Sequence, residues 1–324
     1  TIPGIRYVID SGLVKIKVCH PNTGLEVLKL AAVSKASADQ RSGRAGREAE
    51  GKAYRIYEEC MYEEMLLHTP PEISRVELST VYLQLKSLGI DVAKFPFMDP
   101  PDPRHLTKSA TLLLRLGALS KEGALTDVGN SLAVLPLLPM FGKLLLTSVE
   151  FECVSEMLSI VAVMSSDAGF TSQHVGGGKK DNNNSASSST NTNTNASASA
   201  VAAAQAALHH PDGGHLTLLR IFKQFSSLKS NLQKPFCSDN GLNYSSLRKA
   251  ADIRDQLKDL LPQVGVKHVT SCGSELNWEV VRRCLLKGSF VNVAKLDEVG
   301  GTAYLAVSSR QTAKIHPHSG LFSR

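Results

Sequence analysis

The chain has 324 residues, 36 Lys and Arg against 30 Asp and Glu, a net charge of +6, 42 % hydrophobic residues and 20 % charged ones. Those proportions suit two or three folded domains and exclude a wholly disordered chain, a collagen-like fibre and a disulfide-stapled miniprotein. No run reaches the ~18 uninterrupted apolar residues of a membrane span. The nearest stretch, Leu132–Leu146, is broken by Pro136, Pro139 and Lys143. The chain opens at Thr1 with no basic segment leading into an apolar run, so we expect no signal peptide and expect sequence to be missing upstream. Cys19, Cys60, Cys153, Cys237, Cys272 and Cys284 show no C-x-x-C spacing, and the histidines complete no ligand set. Free thiols in a reducing compartment, and no structural zinc, are expected.

In chain order, Ile5–Asp10 is β-rich and ends at Ser11-Gly12, a strand entering a turn. Val14–Val18 alternates apolar and basic residues, Pro21–Gly24 is turn chemistry, and Leu25–Leu30 is extended again. The pattern predicts a β-hairpin with Lys15 and Lys17 on one face. Ser34 is placed to cap a short helix through Gln40, and Gly51–Tyr57 reads as a further strand. Beyond Thr69-Pro70-Pro71 the spacing of Leu78, Val81, Tyr82, Leu85 and Leu88 is helical, as is that of Leu106, Ala110, Leu113 and Leu114. A tiny hairpin over 118–125 and a helix from Thr126 to before Pro136 follow. Helix, helix, β-wing and helix predict a winged-helix unit. From Pro139 the chain is helical, with Phe151–Met164 strongly apolar. The glycine-, Asn-, Ser- and Ala-rich stretch 175–207 has almost nothing to bury and reads as a disordered insertion. Helical pattern resumes at Leu216–Phe225 and Tyr244–Leu261. Short strands at Gly301–Val307 and Thr312–His316 suggest part of a small β-barrel.

One constellation carries chemistry: Gln40-Arg41-Ser42-Gly43-Arg44-Ala45-Gly46-Arg47. Its glycines let the backbone turn tightly and approach a ligand. Arg44 and Arg47 can aim two planar guanidinium forks at one anion, a geometry that matches phosphate oxygens. Gln40, one helical turn before Arg44, can both donate and accept, as orienting an attacking water requires. No nucleophile or general base is present, so the string reads as half of a phosphoryl-transfer site. Two plainer alternatives are surface pairing of the arginines with Glu48, Glu50 or other carboxylates, and a loose Gly/Arg segment that binds RNA.

The string resembles motif VI of the DEAH-box RNA helicases of superfamily two, and the resemblance covers nearly the whole chain. Thr1–Gly12 resembles the end of motif V and its following strand, although Pro3 stands where the family often has an acidic residue. Lys15–Leu30 resembles the family's strand-separating hairpin, Thr69–Leu135 its winged helix, and His210–Leu219 a motif of its ratchet-like bundle, with Gly214 where an acidic residue is common. Ile315–Ser319 is similar to the His-Pro-x-Ser region of its OB-fold, and the tail 301–322 to a nucleolar, ribosome-linked branch.

The resemblance implies a multidomain α/β and mainly α chain. Residues 1–66 are expected to end a second RecA-like domain, 67–136 to form the winged helix, 137–286 the ratchet-like bundle carrying the 175–207 insertion, and 287–324 the start of an OB-fold. It implies that Gln40 contacts the catalytic water, that Arg44 and Arg47 act as arginine fingers on ATP held with Mg2+, and that Gly43 belongs to the same nucleotide site. It implies RNA contacts at Thr1, Lys15 and Lys17, an activating protein partner at the OB-fold or winged helix, no membrane, and an intracellular location, nuclear, nucleolar or cytoplasmic. No G-x-x-x-x-G-K-[ST] loop and no Asp-Glu-Ala-His box occurs, and Gly176–Lys180 lacks the Ser or Thr for magnesium. ATP hydrolysis is therefore expected of a longer protein and not of this chain alone. The other class of reading is a non-enzymatic module that binds RNA or protein.

Overall fold

The structure, a computed structural model, describes residues 3–19, 26–166, 204–205, 207–273, 277–297, 303–315 and 321. The chain divides into two compact units, Thr1–Thr126 and Asp127–Arg324.

In the first unit, β1 (Tyr7–Asp10) pairs in parallel with β4 (Lys52–Arg55), in register from Tyr7 opposite Lys52 to Asp10 opposite Arg55. Gly12 makes the corner after β1 at φ +70°; a Cβ there would lie 2.7 Å from the Tyr57 ring, so only glycine fits. The predicted hairpin is present as β2 (Leu13–Cys19) against β3 (Glu26–Ala32), with its Pro21–Gly24 turn outside the described residues. Helix α1 (Lys35–Ser42) follows, capped by Ser34 as its sequence suggests but running two residues beyond Gln40. A small core of Val33, Ala38 and Met65 holds these pieces, with Val14, Tyr57 and Tyr62 packed against it. The short helix α2 (Glu59–Glu64) buries none of its residues, which is why no apolar periodicity announces it.

Farther along, α3 (Ser79–Ser87) and α4 (Pro103–Arg115) match the two leucine-spaced segments. Helix α4 starts three residues before the first predicted apolar position. Asp102 caps it by accepting from the Arg104 amide, and Pro103 supplies a first-turn residue with no N–H to satisfy. The wing is reduced to a bridge between Leu119 and Leu125, closed by the Thr126 hydroxyl donating to the Gly117 carbonyl at 2.6 Å.

The second unit is helical. Helices α5 (Asp127–Val134) and α6 (Pro139–Thr147) meet at 112° across the prolines that interrupt the apolar run. No single helix among the described residues is long and apolar enough to cross a membrane. Helix α7 (Val154–Ser165) is buried nearly all round, as its continuous apolar sequence requires. Around it pack α8 (Gly214–Ser227), α9 (Ser230–Asp239), α10 (Tyr244–Leu260) and α11 (Trp278–Gly288). Leu145, Met157, Leu158, Ile160, Leu219 and Cys284 are completely enclosed. Helices α9 and α11 are absent from the sequence reading. The former carries Pro235 within it, and the latter presents charges on most of its turns.

Two clusters of buried polar groups in this unit are partnered across the fold. Glu156 accepts from the Ser271 hydroxyl at 2.6 Å and the Cys272 amide at 3.4 Å, with the Lys223 ammonium 3.7 Å away. In the His210–Leu219 motif, the His210 amide donates to the Thr217 hydroxyl, its Nδ1 accepts from the Asp212 amide, and its ring stands edge-on to Trp278. That motif fastens the start of α8. The end of the chain forms an antiparallel sheet in the order β5 (Ala294–Leu296), β6 (Ala303–Ala306), β7 (Thr312–Lys314). The 175–207 insertion, apart from residues 204, 205 and 207, and the His316–Ser319 motif lie outside the described residues.

Candidate functional site

The eight-residue string folds as the last turns of α1 and the loop that leaves it. All of the helix's first amides are satisfied. Lys35 and Ala36 donate to the Leu66 and Leu67 carbonyls, Ser37 to the Ser34 hydroxyl and Ala38 to the Ser34 carbonyl. At the other end the Gly43, Arg44 and Ala45 amides close onto Asp39, Arg41 and Ser42, so the helical path continues tightly through Gly43 into the turn.

Successive helical residues are rotated by about 100°, and this decides which side chains are spent on structure. Ala38 and Ala45, seven apart, face inward and are buried. Gln40 lies roughly opposite Ala38, and Arg44 follows in the turn that leaves the helix. Gln40, Gly43, Arg44 and Arg47 are all exposed. The side chains of Gln40 and Arg44 have no hydrogen-bond or ion-pair partner among the described residues. The Glu48 carboxylate accepts from the Gly4 amide at 2.9 Å.

The flanks of Gln40 are pinned. On one side the Asp39 carboxylate takes Arg55 Nη2 at 2.8 Å and the Tyr62 hydroxyl at 3.2 Å, while the Arg55 guanidinium stacks 4.3 Å over the Tyr62 ring. On the other side Arg41 Nη1 reaches Asp10 Oδ1 at 2.7 Å, and its Nη2 donates to the Leu13 carbonyl at 3.1 Å. Asp10 also accepts from the Gly12 amide at 3.0 Å and from the Tyr57 hydroxyl at 3.4 Å. Burial pushes the Asp10 carboxyl up, but the Gly12 amide and the Arg41 guanidinium outweigh it and hold the group below its ordinary value. Burial and the neighbouring Asp10 carboxylate push the Tyr57 hydroxyl up.

Gly51 sets the height of the loop above the sheet. A Cβ at that position would fall 2.2 Å from the Ala45 carbonyl oxygen and 2.5 Å from that of Arg6. No side chain can stand between the loop and β1.

Thus Gln40, Gly43, Arg44 and Arg47 come together on one helix end and its turn. Lys15 and Lys17 lie elsewhere, exposed on β2 opposite Leu30 and Leu28. With Leu13 they give the ribbon an exposed face that is both basic and apolar. Thr1 lies outside the described residues. Sequence reasoning missed Arg41, Asp10 and Tyr57. The available signal was angular: Arg41 directly follows Gln40 and so cannot share its direction. Among the described residues no group of His, Cys, Asp or Glu is arranged to hold a metal ion.

Comparison with known proteins identifies related domains and relatives. The helicase-associated (HA2) winged-helix domain matches residues 109–137, and the HA2 ratchet-like domain matches residues 138–218. The chain is 38 % identical over 325 residues to a human protein named probable ATP-dependent RNA helicase DHX35, covering 100 % of this chain and 42 % of that protein. It is 38 % identical over 330 residues to the protein of the same name from Pongo abelii, covering 41 % of it. The chain therefore spans less than half the length of these curated relatives. The two helicase-associated domains and this identity together support the chain's being the carboxy-terminal half of a DEAH-box RNA helicase.

Proposed function

We propose that this chain is the part of an ATP-dependent RNA helicase that supplies motif VI and the RNA-channel accessory domains. The observation that carries the reading is the division of labour on α1. Asp39 and Arg41 are consumed by contacts within the unit, while Gln40 and Arg44 are exposed and without a side-chain partner among the described residues. A guanidinium and a carboxamide one turn apart suit the phosphates of ATP and the water that attacks them. ATP hydrolysis would be coupled to RNA translocation, unwinding or remodelling of RNA–protein complexes.

The residues fit the phosphate end of the nucleotide, with Gln40, Arg44 and Arg47 as its contacts. The magnesium ion, which would neutralise phosphate charge, would be held by a G-x-x-x-x-G-K-[ST] loop and an Asp-Glu-Ala-His box, neither of which occurs in this sequence. In the same reading, β1 and β4 are the end of a second RecA-like domain, and β5–β7 begin an OB-fold. A parallel pair is normally covered on both faces, whereas Tyr7, Ile9, Tyr54 and Ile56 are exposed by half or more. That supports a larger sheet to which this one belongs. The domain limits 1–66, 67–136, 137–286 and 287–324, an activating protein partner and a nuclear location complete the proposal; imaging of the tagged protein tests the last.

The test is RNA-stimulated ATPase activity of the longer protein. Arg44→Ala should lose about 2–4 kcal/mol of transition-state stabilisation, roughly 30- to 1,000-fold in kcat, and the chain alone should show no turnover. The basic and apolar ribbon of β2 and β3 favours a second reading, RNA binding without nucleotide chemistry. An Arg44→Ala protein with undiminished ATPase activity and a chain that binds RNA by itself would select that reading instead.

A further inference from the structure

Arg41 is the arginine of the string that points neither into the core nor out to solvent. Its side chain is one-third exposed, against 3 % for Asp10, and the pair is 2.7 Å apart. Two parallel features mark it as a fixed joint. First, the two terminal nitrogens of Arg41 are spent on different elements, one on the carboxylate ending β1 and the other on the Leu13 carbonyl that opens β2. A planar fork held at both tips fixes the direction of its own Cα as a single hydrogen bond does not. Second, the acceptor is itself immobilised. Asp10 receives the Gly12 amide and the Tyr57 hydroxyl, its carbonyl takes the Ile56 amide at 3.0 Å, and the Gly12 carbonyl takes the Val33 amide at 2.9 Å. The corner between β1 and the hairpin, the loop after β4 and the end of α1 thus meet at one carboxylate.

We infer that Arg41 is a positioning residue, which clamps the last turn of α1 to the root of the β2–β3 hairpin through Asp10 and the Leu13 carbonyl and so sets the direction in which Arg44 leaves the helix. The inference rests on the proposed role of Arg44 and adds to it. Arg41 touches no phosphate and acts through Arg44, three residues on. A helix this short and polar has little else to hold its end, since Ala38 is its one buried residue. Releasing the clamp lets the last turn rotate or fray, and misplacing a transition-state contact by about 1 Å can cost up to ~100-fold in rate.

The experiment is a mutant cycle in the longer protein, read as kcat and KM for ATP in the presence of saturating RNA. Arg41→Ala should lower kcat by about 10- to 100-fold while KM changes by less than about threefold, because the lost term is felt in the transition state. Arg41→Lys, which can keep the ion pair but not the fork, should fall between. In an Arg44→Ala background, Arg41→Ala should cost no more than about twofold further, since the group it positions is gone. Asp10→Asn, which retains size but loses the charge and one acceptor oxygen, serves if Arg41→Ala does not fold, and should reproduce the kcat loss with the same dependence on Arg44. Undiminished kcat in the Arg41 and Asp10 variants, or losses that multiply fully with that of Arg44→Ala, overturns the inference. If Arg44→Ala itself leaves kcat unchanged, the failure lies instead with the arginine-finger reading.

Discussion

Helix α11 lies against α6 through Gly288, and that contact permits a sharp test of the packing in the helical unit. A Cβ added at Gly288 would stand 2.5 Å from Leu144 Cδ1, 2.9 Å from Leu144 Cα and 3.3 Å from Leu144 Cβ. The first atom is the end of a side chain and could swing away, but the second is backbone. To reach ordinary carbon–carbon separation of about 3.5–4.0 Å the helices must part locally by ~0.6–1 Å, which forfeits a quarter to a half of each contact's dispersion energy. Overpacking of this kind costs about 1–3 kcal/mol. Alanine's helix propensity returns less than the ~1 kcal/mol of an interior site, because Gly288 ends its helix. Gly288→Ala should therefore destabilise the unit by about 1–2 kcal/mol, a fall in Tm of roughly 2–8 °C for a domain of this size. Gly142→Ala is the control. Its Cβ would meet only side-chain ends, Leu132 Cδ2 at 2.6 Å and Leu135 Cδ1 at 3.6 Å, and it lies inside α6 where alanine is favoured. Its Tm should shift by less than half as much. Thermal unfolding followed by circular dichroism decides the matter, and a Gly288→Ala chain that melts at or above the parent would refute the argument.

Asp10→Asn should destabilise the first unit at neutral pH. The folded carboxyl titrates below its ordinary value of 3.8, so its contribution is complete above that value and is lost as pH falls through the lower folded one. The gap in Tm between parent and variant should therefore close as pH is taken below 3.8; a gap independent of pH contradicts the assignment. Glu156→Ala removes the acceptor of the Ser271 hydroxyl and the half-buried Cys272 amide and the ion-pair partner of the half-exposed Lys223, and should cost about 1–3 kcal/mol in urea unfolding, with an unchanged midpoint as the adverse result. Replacing Lys15 and Lys17 together by Gln should weaken RNA binding and reduce the slope of log affinity against log salt by about 1.4, at ~0.7 for each single-strand phosphate contact. An unaltered slope removes both lysines from the RNA surface.

Elements with a strong period were legible in the sequence, and those held by local chemistry were not. The alternation of Val14, Ile16 and Val18 with Lys15 and Lys17 gave the hairpin and its faces, because a half-buried ribbon repeats every second residue. Helices α3, α4, α6, α8 and α10 announced themselves through leucine-bearing apolar stripes, and α7 through a continuous apolar run. Helix α2 has nothing buried, and Pro235 conceals α9, so neither offers the signal that periodicity detects. In the candidate site the string at 40–47 was legible as a unit, as was the helix that presents it. The clamp was not, because Asp10 and Arg41 are 31 residues apart in the chain and no local pattern pairs them.

The placement of the string on so slight a helix has a physical logic. Alanine at positions 38 and 45 brings the backbone of α1 and its turn close to the core, and Gly51 removes the last side chain that would lift the loop away. Small inward residues supply little burial energy, so the helix depends on polar fastenings: its capped N-terminus, Asp39 to Arg55 and Tyr62, and Arg41 to Asp10 and Leu13. Such contacts fix direction better than a greasy stripe does, since hydrogen bonds to charged groups are oriented while apolar contacts tolerate rotation. A helix stabilised by a broad hydrophobic face could present Gln40 and Arg44 on its far side equally well, but it could not sense the strand corner and hairpin root to which Arg41 ties this one. The polar construction links the exposed pair to the β1–β2 corner through a single guanidinium, and changing Arg41 therefore separates the orientation of Arg44 from its mere presence.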